Sequence, residues 1–460
     1  MRTMAFARWG CALSLGLTGC VQPSVLGDLD ETGTDGDGDG SGDDDGHSTA
    51  PSDSGDDTGD PTSAGDDGPP PVDGPPRIDF LFVIDNSGSM GAAQAALTSG
   101  VDSFVAGLEA AEGVSYRIGV TTTDNGNVRC QSTTPEAGQL QLESCRSRID
   151  EFVFTGNPPS DVQDVACLDI CPLDYIPIVP TAVAGDSELR PRPWIEGGPE
   201  GTNLDGVGVD HALLCALPQG IAGCGFEAPL ESSYKALLRS QTVGESQFGF
   251  MRPDAHLVVV FVTDEIDCSI TSEEQSIFLA EVEGGTEVFW EPPPVGITPT
   301  GNPTSAVCWN AGVECTGGPG TYDECHAGNK SIDGDVGVPD DDAVLLPVAR
   351  YRDFLSELQQ VKRASSNASV FVFGITGVPV GWPETPLSFQ DSADPEQQYN
   401  IGIGPACDGT DTGVVATPAL RLLELAESFA NPVHTNMFSI CGDIPGAIDP
   451  ILQSVLAHVE

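Results

Sequence analysis

Oxygen-bearing side chains at the end of an apolar segment give the strongest chemical signal in this sequence. The apolar run Ile78–Ile84 is typical of a parallel strand that is buried on both faces. Asp85, Ser87 and Ser89 follow it at alternate positions, and Gly88 allows a tight turn between the two serines. A carboxylate and two hydroxyls suit a hard divalent cation, which prefers oxygen ligands and keeps some of its waters. The segment therefore predicts a cation site on a loop between a strand and a helix.

A second apolar run also ends in acidic residues. Residues 256–263 read HLVVVFVT, and Asp264, Glu265 and Asp267 follow them. In an open α/β sheet, ligands bind beyond the carboxyl ends of adjacent strands, at the point where the strand order reverses. Asp85 and Asp264 both follow such strands, so we expect their carboxylates to lie close together. The alternative is that these acids cap a following helix, and for Glu265 and Asp267 that is the favoured interpretation.

These features resemble the metal-ion-dependent adhesion site of the von Willebrand factor A (vWA) family. The D-x-S-x-S spacing of Asp85, Ser87 and Ser89 matches the first metal-site loop of that family. The second loop of the family is a glycine-rich turn with a threonine before a helix, and Thr202 in Gly-Thr-Asn-Leu matches it. Asp264 matches the last metal-site aspartate. Thr202 also has a simpler interpretation as a helix N-cap.

The resemblance implies a doubly wound, mostly parallel α/β sheet flanked by helices over residues 77–460. The cation ligands that it implies are Asp85, Ser87, Ser89, Thr202 and Asp264. The expected ion is Mg²⁺, with Mn²⁺ or Ca²⁺ as alternatives, and an Asp or Glu carboxylate of a protein partner would complete its shell. The expected function is therefore cation-dependent protein binding. The alternative is a non-catalytic accessory or scaffold subunit of an envelope complex.

Sequence signatures of catalysis are missing. The six histidines form no H-E-x-x-H pattern and no recognisable triad. Ser87 and Ser89 do not form a G-x-S-x-G elbow, because neither has a glycine two residues before it. No Walker loop and no G-x-G-x-x-G follows a predicted strand. We therefore expect a protein that is not an enzyme, with a hydrolase site hidden in an irregular insertion as the remaining alternative.

Length and charge limit the possible partners. The chain has 460 residues, enough for two or three ordinary domains. Its formal net charge is -52, from 70 acidic and 18 basic residues. Repulsion between like charges argues against nucleic acid and bare anionic lipid as partners. Divalent ions or cationic partners suit this composition better.

The first twenty residues resemble the export signal of a bacterial lipoprotein. Arg2 and Arg8 give a positively charged start, and the apolar stretch over residues 9–17 that follows it is too short to span a bilayer. The following Leu-Thr-Gly-Cys resembles a lipobox, which would place a lipid anchor on Cys20. The alternative is a simply cleaved signal with Cys20 in a disulfide. We expect an exported, lipid-anchored protein of the cell envelope, at the outer membrane or cell surface.

Residues 21–76 have a different composition from the rest of the chain. They contain few apolar residues and many aspartates, so they cannot form a core and predict a disordered acidic tether. Residues 35–40 read DGDGDG and match the start of an EF-hand loop. Gly46 stands where that loop requires glutamate, however, and no helices flank it. A solvated tether is the favoured interpretation.

From residue 77 onward, alternating strand and helix patterns predict an α/β fold. Besides the two runs described above, strands are expected at residues 116–121, 193–196, 369–375 and 437–440. Helices are expected at residues 91–110, just after 202, and at 229–239, 272–282, 347–363, 418–429 and 444–458. Three irregular insertions, at about 122–195, 284–343 and 376–416, interrupt the pattern.

Cysteine usage indicates an oxidising compartment. The chain has 14 cysteines without zinc-finger spacing, and all but Cys11 and Cys20 lie in the part expected to fold. Connectivity does not follow from sequence, so pairs of near neighbours are only guesses. The guesses are Cys130 with Cys145, Cys215 with Cys224, and Cys407 with Cys441, and Cys268 is expected to bridge into the second insertion.

Overall fold

The computed structural model describes residues 76–156, 159–271, 275–295, 301–409, 412–430 and 435–459. The predicted export signal, Cys20 and the acidic tether lie outside the described residues. Among the described helices, none is both long enough and apolar enough to cross a membrane.

A six-stranded sheet forms the centre of the fold. Its strands, labelled in chain order, are β1 (Arg77–Ile84), β2 (Ser115–Thr122), β3 (Ile195–Gly197), β4 (His256–Val262), β5 (Val370–Thr376) and β6 (Met437–Ser439). The spatial order is β6-β5-β4-β1-β2-β3. All neighbours are parallel except β3, which runs antiparallel to β2. The predicted, mostly parallel α/β sheet is confirmed.

Helices cover both faces of this sheet. The α-helices of the described residues are α1 (Gly91–Thr98), α2 (Val101–Ala110), α3 (Val209–Ala216), α4 (Pro229–Gln241), α5 (Ala306–Gly312), α6 (Val348–Ser366), α7 (Pro395–Ile401), α8 (Leu420–Ser428) and α9 (Ile444–Leu456), of which α5 and α7 lie in the insertions and not on the sheet. Phe80 and Phe82 of β1 share a buried cluster with α1, α2, α3 and α9. Leu81 and Val83 share another with α4, α6 and α8. Burial on both faces explains why β1 is apolar at nearly every position.

The strand order reverses at β1. The chain continues from β1 to β2 on one side, whereas β4 pairs with β1 on the other side. The carboxyl ends of β1 and β4 therefore flank the kind of crevice in which open α/β sheets bind ligands.

Two helix predictions need correction. The helix expected over residues 91–110 is two helices, α1 and α2, separated at Ser99 and Gly100. A Cβ atom on Gly100 would lie 3.3 Å from the backbone of Pro445, so the break allows α9 to approach closely. The helix expected over residues 272–282 is wrong over its described part, which forms 3₁₀ turns at Gln275–Phe278 and Glu281–Glu283.

The three insertions contain more regular structure than their sequences suggest. The second holds α5 and the third holds α7. A three-stranded sheet joins the second and third insertions through Val313–Gly317, Thr321–Ala327 and Phe389–Gln390. Two-stranded pairs are Val153–Phe154 with Ser160–Asp161, Thr181–Val183 with Asp186–Arg190, and Cys407–Gly409 with Val414–Ala416.

Every cysteine of the described residues is in a disulfide. The pairs are Cys130–Cys224, Cys145–Cys167, Cys171–Cys215, Cys268–Cys308, Cys315–Cys325 and Cys407–Cys441. The expected pair Cys407–Cys441 and the bridge from Cys268 into the second insertion are confirmed. The guesses Cys130–Cys145 and Cys215–Cys224 are wrong, because the fold brings Cys130 to Cys224 across a sequence separation of 94 residues.

His256, at the start of β4, should make stability depend on pH. Its Nδ1 accepts a hydrogen bond from the backbone N–H of Ser369, 3.1 Å away, and burial lowers its pKa to about 4, with smaller effects from the charges of His458 and Lys362. The unfolded chain takes up this proton below about pH 6.5, whereas the folded chain does so only near pH 4. This residue should therefore remove up to about 3 kcal/mol from the free energy of unfolding as pH falls through that window.

The test compares wild-type protein with His256→Asn, whose amide oxygen can replace Nδ1 as an acceptor. Thermal unfolding of both proteins is measured at pH 7 and at pH 4.5. We expect the wild type to lose stability relative to the variant at the lower pH. An unchanged difference between the two proteins would show that His256 is not held neutral by the fold.

Candidate metal centre

Asp85 and Asp264 follow neighbouring strands at the same edge of the sheet. Ile84 pairs with Val262, and the backbone N–H of Asp85 donates to the carbonyl of Val262 at 2.9 Å. The two aspartates are 0% and 3% exposed. This arrangement agrees with the sequence prediction that β1 and β4 bring the two residues together. Such complete burial is unusual for aspartate side chains.

A chain of hydrogen bonds joins the D-x-S-x-S loop to Asp264. The backbone N–H of Ser87 donates to Asp85 Oδ1 at 2.7 Å, and the hydroxyl oxygens of Ser87 and Ser89 are 3.1 Å apart. Ser89 then donates its hydroxyl proton to Asp264 Oδ1 at 3.1 Å. Ser89 is exposed, whereas Ser87 is buried. Four of the five expected ligand residues therefore form one cluster with an opening to solvent at Ser89.

Packing holds this loop in place. Gln94 of α1, which is 1% exposed, donates to the backbone carbonyls of Asp85 and Gly220 at 2.8 and 2.7 Å. A Cβ atom on Gly88 would lie 2.9 Å from the ring of Phe154. Glycine is therefore needed here for the close approach of Phe154, and not only for a tight turn. Phe154 belongs to the first insertion, so this insertion packs against the loop and helps to hold it in place.

Burial makes ionisation of the clustered carboxyls costly. Burial raises the pKa of Asp264 to about 8, and the neighbouring charge of Asp85 adds to the effect. Burial likewise raises the pKa of Asp85, against hydrogen bonds from Thr263 and Ser87. The pKa of Glu265 lies well above its usual range, first because of burial and then because of Asp85 and Asp264. A bound cation would favour the ionised forms of such carboxyls.

Thr202 does not lie in this cluster, which corrects the sequence expectation. It lines a cleft with Arg77 and Ser115, the first residues of β1 and β2, whereas Asp85 follows the last residue of β1. The eight residues of β1 separate the two ends by roughly 26 Å at about 3.3 Å per residue. The hydroxyl of Thr202 accepts from the backbone N–H of Leu204 at 3.3 Å, so this side chain stabilises the turn in which it lies.

The direction of β3 explains this error. Gly197 pairs with Tyr116 and Ile195 with Ile118 in an antiparallel register. The chain therefore leaves β3 at the amino ends of the parallel strands, and the glycine-rich turn after it lies at the wrong edge of the sheet. The spacing of glycines and threonine in the sequence contains no information about this direction.

Glu227 is a residue of the site that the sequence analysis missed. It lies in the loop between α3 and α4 and is 0% exposed. Its Oε2 accepts from the hydroxyl of Thr123, and its Oε1 has no hydrogen-bond partner among the described residues. Burial raises its pKa well above the usual range, and the charges of Asp85 and Glu265 contribute. An acid within the otherwise apolar and small residues before α4 is the sequence signal that could have identified it.

Asp267 has a structural role. Its Oδ2 accepts from Arg421 Nε at 2.9 Å, and its Oδ1 accepts from the backbone N–H of Leu230 at 3.2 Å and the hydroxyl of Ser269 at 2.6 Å. The interpretation that Asp267 caps the helix expected at residues 272–282 is therefore wrong, because the described part of that stretch forms no α-helix and Asp267 instead accepts from Leu230 in the first turn of α4. These bonds leave Asp267 committed to the fold.

The donor set fits an ion that keeps some water. Within the described ranges, no three aspartate, glutamate, histidine or cysteine side chains come close enough to hold a metal ion among themselves. The cluster offers two carboxylates, Asp85 and Asp264, and two hydroxyls, Ser87 and Ser89. Mg²⁺ is commonly bound by one or two carboxylates and retains several waters. These residues fit such an ion without a third acidic ligand.

Comparison with known proteins gives only remote matches. No family model matches the chain, and no curated protein matches it. The pilus adhesin SpaC from Lactobacillus rhamnosus GG is similar over 83% of this chain and 30% of its own, at 8% identity and a TM-score of 0.30. The vWF domain of the type V pili tip protein Mfa5 from Porphyromonas gingivalis is similar over 84% of this chain and 97% of its own, at 11% identity and a TM-score of 0.30.

This chain thus spans only 30% of the length of SpaC. Structural similarity at TM-scores this low says nothing about what the chain binds. The α/β class depends on the sheet itself, and the candidate site depends on its own geometry.

Proposed function

We propose that this protein is a cell-envelope protein that binds a protein partner through a divalent cation. Asp85, Ser87, Ser89 and Asp264 hold the ion, and an Asp or Glu of the partner completes its shell. The observation that carries the proposal is the hydrogen bond from exposed Ser89 to buried Asp264. It places a solvent-facing ligand next to two buried carboxylates. An ion bound there would be coordinated by the protein on one side and open to solvent on the other.

Charge balance supports binding of an external carboxylate. Asp85 and Asp264 neutralise the two charges of the ion, and the serine hydroxyls add none. The pKa values of Glu227 and Glu265 are raised well above their usual range, so these carboxyls add less negative charge to the site than exposed acids would. The ion therefore remains electrophilic enough to accept an oxygen from outside, whereas a site with more ionised ligands would repel it.

The proposal includes a lipid anchor at Cys20 and an exposed location on the envelope. It rests on the lipobox-like Leu-Thr-Gly-Cys and on the acidic composition of residues 21–76, which would hold the folded part away from the membrane. Mg²⁺ is the proposed ion, with Mn²⁺ and Ca²⁺ as alternatives, and the role is binding without catalysis. Its partners are proteins and not nucleic acids, as the net charge of -52 favours.

A pull-down from detergent-solubilised envelopes tests this function. The wild type, Asp85→Ala and Ser89→Ala are compared with Asp169→Asn, which removes an exposed acid elsewhere. We expect one or more envelope or extracellular proteins to bind wild type and Asp169→Asn, to leave in EDTA, and to be absent from the two site variants. Ser89→Ala guards against misfolding, because Ser89 is exposed.

Two outcomes would contradict the proposal. Partners that remain bound in EDTA and bind all four proteins equally would exclude the ion. A single partner at fixed stoichiometry, independent of the ion, would instead favour the accessory or scaffold subunit.

A further inference from the structure

A second group of oxygen atoms lines a cleft of about 170 Å³ beside the end of β1. Its buried floor includes Asn86, Asp124 and Gln219, which are 7%, 1% and 1% exposed. Glu136 and the hydroxyl-bearing residues 132–134 stand higher in the cleft, toward solvent. None of these residues belongs to the cluster of Asp85 and Asp264.

Two acceptors on the floor have no donor. Asn86 Oδ1 and Gln219 Oε1 are buried and make no hydrogen bond within the part of the chain that the structure describes. Buried amide oxygens without partners are rare in folded proteins. A donor or a cation bound in this cleft would satisfy both oxygens.

The carboxylates of the cleft have spare coordination capacity. Asp124 accepts from the backbone N–H groups of Gly126 at 2.8 Å and Cys224 at 3.3 Å, one at each oxygen. Glu136 accepts at one oxygen from the hydroxyl of Thr122. Each carboxylate oxygen has two lone pairs, so both side chains can bind a further positive group.

No lysine, arginine or histidine lines this cleft among the described residues. Glu151, at its rim, pairs with Arg148 at 2.6 Å and is thereby already neutralised. The lining therefore presents mainly acceptors and negative charge, which favour a cation over an anion.

We propose that Asn86, Asp124, Glu136 and Gln219 form a second divalent-cation site, of the calcium type. Ca²⁺ takes six to eight oxygens and accepts carboxylates, amide carbonyls, hydroxyls and water together, whereas Mg²⁺ demands a smaller and stricter shell. Two contacts hold the residues around the cleft in place. Cys224 next to Gly223 is joined to Cys130 by a disulfide, and the backbone N–H of Gly223 donates to the backbone carbonyl of Asn86 at 2.8 Å.

Equilibrium dialysis with radioactive calcium, at physiological ionic strength and with Mg²⁺ present, tests this site on the full chain. The wild type is compared with Glu136→Gln, Gln219→Met and Glu143→Gln. Glu143 is an exposed acid of the same insertion that does not line the cleft. Because all proteins carry the same acidic tether, differences between them exclude its contribution.

We expect Glu136→Gln to bind one calcium ion fewer per chain, or to bind it at least about tenfold more weakly, and Glu143→Gln to match the wild type. Gln219→Met should also weaken calcium, although it removes no charge, and this separates coordination from general electrostatics. Near-UV circular dichroism reports whether each variant is folded.

If folded Glu136→Gln, folded Gln219→Met and the wild type bind calcium equally, the proposed site is excluded and the cleft holds only water. Asp264→Asn distinguishes this site from the first, because it should spare the calcium that Glu136→Gln removes. If instead Asp264→Asn removes the same ion, the second site does not exist.

Discussion

Asp264→Asn should abolish the stabilisation that Mg²⁺ gives this protein. At a cation concentration one hundred times the dissociation constant, a single site contributes about 2.7 kcal/mol to the free energy of unfolding. Asp264 is one of the two carboxylates in the cluster, and Asn cannot replace its negative charge. Thermal unfolding in Mg²⁺ and in EDTA measures the effect. Asp169→Asn, an exposed control, should keep the full shift.

The same substitution should stabilise the cation-free protein, which a merely structural aspartate would not do. The folded-state pKa of Asp264 is raised to about 8 from an ordinary value of 3.8. A carboxyl with a raised pKa favours the folded state at low pH, and that contribution is lost as pH rises through about 8. In EDTA, the advantage of Asp264→Asn over wild type should therefore be larger at pH 9 than at pH 6. A variant that keeps the cation-dependent shift would show that Asp264 is not a ligand, and one that is less stable than wild type in EDTA at pH 9 would show that the fold does not raise the pKa of Asp264.

Arg421→Met should lower the free energy of unfolding by about 3–5 kcal/mol. Arg421 and Asp267 are each 1% exposed, and Arg421 Nε donates to Asp267 Oδ2 at 2.9 Å. Arg421 also donates to the backbone carbonyl of Leu346. Removing the guanidinium leaves a buried carboxylate without its counter-charge, and this unpaired charge is the main cost. The effect is measured by urea denaturation with the disulfides intact.

A double variant separates the charge from the packing. Arg421→Met with Asp267→Asn removes both charges, while Asn still offers an acceptor to Leu230 and Ser269. We expect it to recover a large part of the loss, so the two substitutions should not be additive. Arg352→Met, which breaks an exposed pair with Asp353, is the matched control and should cost less than about 1 kcal/mol. Additive losses in the double variant would mean that packing, not the ion pair, decides the effect.

The fold and four of the five expected ligand residues could be predicted because they depend on short stretches of chain. Burial on both faces forces β1 and β4 to be continuously apolar, and this pattern is visible without coordinates. Parallel neighbours end at the same edge, so the positions of Asp85 and Asp264 just after such strands already predicted that they would meet. The alternating spacing of Ser87 and Ser89 is likewise local.

The positions of the other residues depended on the direction of strands and loops that are distant in sequence. Thr202 follows a glycine-rich turn as expected, but β3 runs antiparallel and leaves it at the opposite edge from Asp85. Glu227 reaches the site because the loop before α4 crosses the carboxyl ends of the strands, which no local pattern in its sequence announces. A side chain's neighbours in space depend on the direction in which its strand enters the sheet. That direction is set by packing over the whole domain.

The cysteines follow the same division. Their number and spacing alone predicted that they would be oxidised, and the described ones are all paired. Which cysteine meets which depended on how the insertions fold back over the sheet, as in Cys130–Cys224. By itself, the sequence of this protein determined the strands of the central sheet, its buried faces and the D-x-S-x-S loop, because these depend on periodicity along the chain. Only the tertiary structure decided which distant loops share an edge, because that depends on strand direction and on the packing of both helical layers.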